Sequence, residues 1–132
     1  ASGADRAKVE MQLAKVGMEP YFAGHVYSGH EMPRSKPFPD VYLAAAKALK
    51  ADPAKCLVIE DTMTGVQAGV AAGATVWGYF PADQGHATAE QLLEAGAACV
   101  FGDMGDLPAM FDAVRRSAAS ASAGDVDDHD LR

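Results

Sequence analysis

Apolar residues recur along this chain in two alternating rhythms, and the alternation predicts the fold. From Arg6 to Val16 (RAKVEMQLAKV), Val9, Leu13 and Val16 fall on one face, an amphipathic helix of about three turns that Gly17 ends. Ser2 or Asp5 is placed to cap it. Tyr21-Phe22 opens a connection into His25-Val26-Tyr27-Ser28, a short strand candidate. Lys36-Pro37-Phe38-Pro39-Asp40 then stiffens the chain before a helix from about Asp40 to Leu49. A one-turn element at Asp52-Pro53 leads into Cys56-Leu57-Val58-Ile59, a continuous apolar run of the kind found in a strand buried on both faces of a parallel sheet.

From Thr62 the rhythm is helical again, with Val66, Val70 and Ala74 on one face and Gly65, Gly69 and Gly73 every fourth residue. A stripe without side chains lets a helix lie close on a sheet, at some cost in propensity. It is also a membrane dimerisation pattern, but no apolar run of about twenty residues surrounds it. Thr75 to Phe80 (TVWGYF) reads as a strand, Ala89 to Ala95 as a short helix, Ala98 to Phe101 as a last strand and about Ala109 to Arg116 as a terminal helix. Strands alternating with helices predict an α/β fold on a parallel sheet. Residues 117–132 (SAASASAGDVDDHDLR) are small and acidic without periodicity and read as a disordered tail, leaving residues 1–116 as the folded part.

Composition narrows the function. At 132 residues and 49% hydrophobic content the chain has material for one small core. A net charge of −7, with eleven basic residues scattered and no aromatic platform among them, argues against a nucleic-acid surface. Cys56 and Cys99 sit in apolar runs without metal-ligand spacing and read as buried thiols. Neither a signal peptide nor a membrane span is visible, which favours the cytoplasm and no membrane partner. Oligomeric state has no readable signal.

The candidate chemistry gathers at Glu60-Asp61, two adjacent acids at the C-terminal end of the apolar run, where open α/β sheets place ligands. Two acids there are costly unless a cation is bound nearby. The other reading is a solvated strand end with Asp61 or Thr62 capping the next helix. Lys36, on a proline-stiffened loop, presents either a fixed positive charge or an ordinary exposed lysine. His25, His30, His86 and His129 have no ligand spacing, and Arg34, Gln84 and His86 read as loop residues in solvent or against a substrate.

Taken together, ASG opening a helix, KPFPDVYLAAAKAL, CLVIEDTMTGVQAGVAAGATVWGY and EAGAACVFGDMGDLPAMF resemble the haloacid-dehalogenase superfamily, in its β-phosphoglucomutase-like and phosphoglycolate-phosphatase-like branch. The resemblance runs from Ser2 to about Phe111. It implies a Rossmann-like three-layer α/β/α core and a magnesium-dependent phosphatase acting on a small phosphorylated metabolite, such as a sugar phosphate or phosphoglycolate, through a phosphoaspartyl intermediate. It further implies that Ser2, with the N–H of Gly3, binds a phosphoryl oxygen, and that Lys36 holds the nucleophilic carboxylate and neutralises phosphoryl charge. Asp61 is then a direct Mg2+ ligand, with Glu60 acting directly or through a water.

The family's first motif, DxDx(T/V), which supplies the nucleophile and the acid/base on a central strand, does not occur before Ser2. Asp125-Val126-Asp127 has the bare spacing but no strand before it. The cap domain is absent too. The chain is therefore expected to be the C-terminal part of an incomplete core, with the nucleophile outside it and no turnover by itself. Three other readings stay open: a phosphomutase on the same core, a catalytically dead domain that binds a ligand or partner, and a receiver domain, whose acid pair would come earlier in the chain.

Overall fold

The computed structural model describes residues 1–83 and 85–129, with the side chains of residues 124–129 left aside. Residues 1–102 form one compact unit, and residues from 103 onward a second. In chain order the first holds α1 (Arg6–Lys15), α2 (Glu19–Phe22), α3 (Asp40–Ala48), β1 (Leu57–Glu60), α4 (Met63–Ala71), β2 (Thr75–Tyr79), α5 (Ala89–Ala95) and β3 (Cys99–Phe101). The second holds α6 (Leu107–His129) after a short turn.

The three strands form a parallel sheet in the order β1-β2-β3, with Leu57 opposite Thr75, Glu60 opposite Gly78 and Trp77 opposite Cys99. Parallel neighbours need crossover connections, and α4 and α5 supply them. Val58, Val66, Val76, Leu92 and Ala97 make the core where these helices meet the strands. The glycine stripe does what its spacing implies at two positions. A Cβ at Gly69 would lie 2.6 Å from Val76 Cγ2, so the missing side chain sets how closely α4 lies on the sheet. Gly65 is buried in the same way. Gly73 has a different task, since it leaves the helix with φ +88°, a region that favours glycine. Thr88 and Gln91 cap α5 reciprocally.

Several sequence expectations need correction. Cys56 and Cys99 are half-buried rather than buried, and β1 buries one face only, through Val58 and Glu60, while Leu57 is exposed at the sheet edge. Residues 25–28 form no strand: among the described residues Ser28 alone makes a parallel bridge, to Ser2. Ser2 N–H donates to the Tyr27 carbonyl at 2.9 Å and Gly29 N–H to the Ser2 carbonyl at 2.7 Å. The Tyr21-Phe22 connection contains a one-turn helix, begun by Pro20 in its first turn, a position where proline costs nothing. The segment read as a disordered tail continues α6 to His129. Its alanines have high helix propensity, which an argument from apolar periodicity overlooks because no amphipathic face is required. Residues 130–132 and Gln84 lie outside the described residues.

β1 is an edge strand. Between it and the Ser2–Ser28 bridge runs an apolar groove of about 480 Å³, lined among others by Tyr27, Tyr42, Leu49, Leu57 and Ile59. No helix among the described residues is long and apolar enough to cross a membrane.

Candidate active site

The C-terminal end of β1 opens into a cleft of about 580 Å³, whose walls include Ser2, Gly3, Lys36, Glu60, Asp61 and Thr64. Every residue singled out from the sequence for phosphate or metal chemistry therefore reaches one cavity. Three separate stretches of chain bring them there: the start of α1, the loop before α3, and the turn from β1 into α4.

Glu60 is the last residue of β1, and its side chain is only 7% exposed. A carboxylate that deep needs partners. Its Oε1 accepts from both Lys36 Nζ and the Tyr42 hydroxyl. The carboxylate fits because Gly65, one turn into α4, has no side chain; a Cβ there would overlap it. The exposed-lysine reading of Lys36 is thereby replaced, since its side chain is 15% exposed and its ammonium lies 5.0 Å above the Tyr42 ring. Burial first, and then the Glu60 charge, push the Tyr42 phenol far above its ordinary pKa, so it stays protonated and acts as a donor.

The capping question at the acid pair resolves in favour of Thr62, whose Oγ1 accepts from Gly65 N–H at 3.0 Å. Asp61 is thus released from capping. Its side chain is 44% exposed, and its Oδ2 lies 3.9 Å from His86 Nε2. Among the described residues no group of three or more His, Cys, Asp or Glu side chains is arranged to hold a metal ion. Asp61 offers a half-exposed, hard oxygen donor at the cleft, with only the 3.9 Å contact to His86 recorded against it, whereas one Glu60 oxygen is committed to Lys36 and Tyr42. Carboxylate oxygens of this kind are the donors that a hard divalent cation takes.

At the opposite wall, Asp5 rather than Ser2 caps α1, accepting from Lys8 N–H at 2.9 Å. Ser2 is held by its backbone bonds to Tyr27 and Gly29, and its Oγ accepts from Ala4 N–H at 3.1 Å. Ser28 supports the same turn by donating to the Ala4 carbonyl at 2.6 Å. Arg34 pairs with Asp40 at 3.1 Å and stacks on Phe38, 4.5 Å from the ring centre. Sequence reasoning missed Tyr42 and the steric role of Gly65. Tyr42 sits on an apolar helix face, where an aromatic reads as core, and nothing in the local sequence marks its hydroxyl. Gly65 was legible as part of a stripe, but its contact with Glu60 depends on the fold.

Comparison with known proteins gives the family. The haloacid dehalogenase-like hydrolase family matches residues 1–73, more than half of the chain. A bifunctional riboflavin kinase/FMN phosphatase of Arabidopsis thaliana is 48% identical over 77 residues, covering 58% of this chain and 20% of that protein. The 6-phosphogluconate phosphatase of Escherichia coli is 36% identical over 76 residues, covering 58% of this chain and 34% of that protein. The crystal structure of a HAD family hydrolase from Deinococcus radiodurans, with bound phosphate and sodium, matches at 36% identity and a TM-score of 0.78, covering 83% of this chain and 48% of that one. The chain thus spans less than two thirds of each of these proteins. On the family match, and with the fold in accord, the chain belongs to the haloacid dehalogenase-like hydrolases.

Proposed function

We propose that this chain is the lysine, phosphate and metal side of a magnesium-dependent phosphatase that acts on a small phosphorylated metabolite such as a sugar phosphate. The observation that carries the reading is the convergence of a buried, glutamate-held lysine, a half-exposed aspartate and the Ser2-Gly3 turn on one cleft. Phosphoryl transfer needs little covalent chemistry from the protein beyond a nucleophile, and mainly requires that charge be placed where it develops.

Each residue then has a task. The Lys36 ammonium faces the phosphoryl oxygens and the attacking carboxylate, which lowers the repulsion between two anions that must meet. Ser2 Oγ and the Gly3 N–H bind a phosphoryl oxygen. Asp61 holds Mg2+, which when bound neutralises phosphate charge and orients the ester. Glu60 keeps Lys36 in place and contributes to the metal site at most through a bound water. The nucleophilic aspartate, the acid/base and the cap come from chain outside these 132 residues, and the aspartate takes the phosphoryl group before water removes it. The relatives named as phosphatases of FMN and 6-phosphogluconate support a phosphate ester as substrate.

The test uses the full-length protein with a panel of sugar phosphates and Mg2+ titrated from zero. Phosphate release that depends on Mg2+ is expected, with Asp61→Asn raising the Mg2+ concentration for half-maximal rate by about tenfold or more. Exchange of phosphate between positions on the sugar, without release, would make the protein a mutase. A rate indifferent to both Mg2+ and Asp61→Asn would overturn the metal assignment.

A further inference from the structure

The Oε1 oxygen of Glu60 has two donors, and the reading above gives a chemical task to only one of them. The second, Tyr42, stands on the first turn of α3, six residues after Lys36, and its ring also lies beneath the Lys36 ammonium. Lysine is a flexible side chain, and a carboxylate free to rotate is a poor anchor for it. The phenol is the stiffer group. It has two side-chain torsions, its ring lies beneath the Lys36 ammonium, and its hydroxyl donates to Glu60 Oε1.

Gly65 closes the opposite side of the carboxylate, and Thr62 Oγ1 lies 3.5 Å from Glu60 Oε2. Glu60 is therefore boxed, and only the Tyr42 hydroxyl ties that box to the helix that follows the Lys36 loop. Phenylalanine would keep the same ring against the groove and under the ammonium. What the hydroxyl adds is its hydrogen bond to Glu60 Oε1.

We propose that Tyr42 is a positioning residue that fixes the Glu60 carboxylate and, through it, the place of the Lys36 ammonium in the cleft. The proposal rests on the phosphoryl-transfer reading of Lys36 for its catalytic consequence, though not for its geometry. A purely packing role for Tyr42 would be met by phenylalanine. A role through Glu60 would not, because Lys36 acts in the transition state and its displacement lowers kcat more than it weakens binding.

The experiment is a double-mutant cycle in the full-length protein, with p-nitrophenyl phosphate as substrate. Tyr42→Phe is expected to lower kcat by about tenfold with KM within about twofold, the scale of one hydrogen bond to a charged group. In a Glu60→Ala background the same change is expected to add nothing. A kcat within twofold of wild type, or a tenfold loss that persists in the Glu60→Ala background, overturns the proposal.

A second readout needs no turnover. The 15N-resolved NMR signal of the Lys36 ammonium, slowed in exchange by its buried partner, is expected in the wild type and lost in Tyr42→Phe. If the wild type hydrolyses nothing, this arm decides: a signal lost in the variant leaves the positioning role standing while the phosphatase reading fails. A signal unchanged in Tyr42→Phe removes the positioning role.

Discussion

Lys36→Ala in the full-length protein is expected to lower kcat for phosphate-ester hydrolysis by about 10²–10³-fold, the cost of losing one preorganised group from the transition state. The same variant is expected to be less stable, because it leaves the Glu60 carboxylate buried with no cation. Breaking a buried ion pair from one side costs about 3–5 kcal/mol, and the surviving Tyr42 hydrogen bond places this case near the lower end. The two losses are separable. Lys36→Met together with Glu60→Gln removes both charges while keeping most of the volume, so most of the stability is expected to return. Activity is not, since no cation is left to face the phosphoryl group. Thermal melts and rate measurements on the single and double variants check this. Recovery of activity in the double variant would show that Lys36 serves the fold alone.

Gly65→Ala is the second change with a large expected effect, and its sign runs against helix propensity. In an unconstrained helix interior the substitution is worth about 1 kcal/mol of added stability. Here the new Cβ would overlap the Glu60 carboxylate. If Glu60 turns aside, it gives up Lys36 and Tyr42 together. If α4 moves out instead, it lifts Val66 and Ala68, both wholly buried, off the sheet. Either route is expected to cost about 1–3 kcal/mol, the usual range for overpacking. A fall in kcat of about tenfold or more should accompany it, because Lys36 loses its anchor. Chemical denaturation and steady-state kinetics on Gly65→Ala read the two effects. A variant more stable than wild type with unchanged kcat would mean that the carboxylate does not depend on the gap at Gly65.

These two residues show how far the sequence alone could carry the argument. The glycine helix and Thr75 to Phe80 were legible because periodicity and length mark a closely packed helix and a buried strand directly, whereas the apolar run at Cys56 to Ile59 marked a strand but not its open face, since β1 lies at the sheet edge with Leu57 exposed. Lys36, Glu60 and Asp61 were legible as candidates from residue type and from their positions at a rigid loop and a strand end. What the sequence left open was which acid does what. Asp61 and Thr62 were equal candidates for the helix cap, and only the Thr62 hydroxyl, 3.0 Å from Gly65 N, frees Asp61.

Tyr42 and the Gly65 gap depend on contacts between α3, β1 and α4, elements that meet only after folding. Local rules misled at residues 25–28, where Val26 and Tyr27 favour a strand but Ser28 alone has a bridging partner, and at residues 117–123, where alanine content favours a helix without an apolar periodicity. In both places a local preference was legible, but its outcome depended on something other than the pattern being read.

The central claim is that this cleft is one part of a phosphoryl-transfer site whose nucleophile lies elsewhere in the protein. The most direct measurement is p-nitrophenyl phosphate hydrolysis with and without Mg2+, run side by side on the purified 132-residue chain and on the full-length protein. Mg2+-dependent turnover is expected from the full-length protein and none from the chain alone. Mg2+-dependent turnover by the 132-residue chain, or an inert full-length protein, would contradict it.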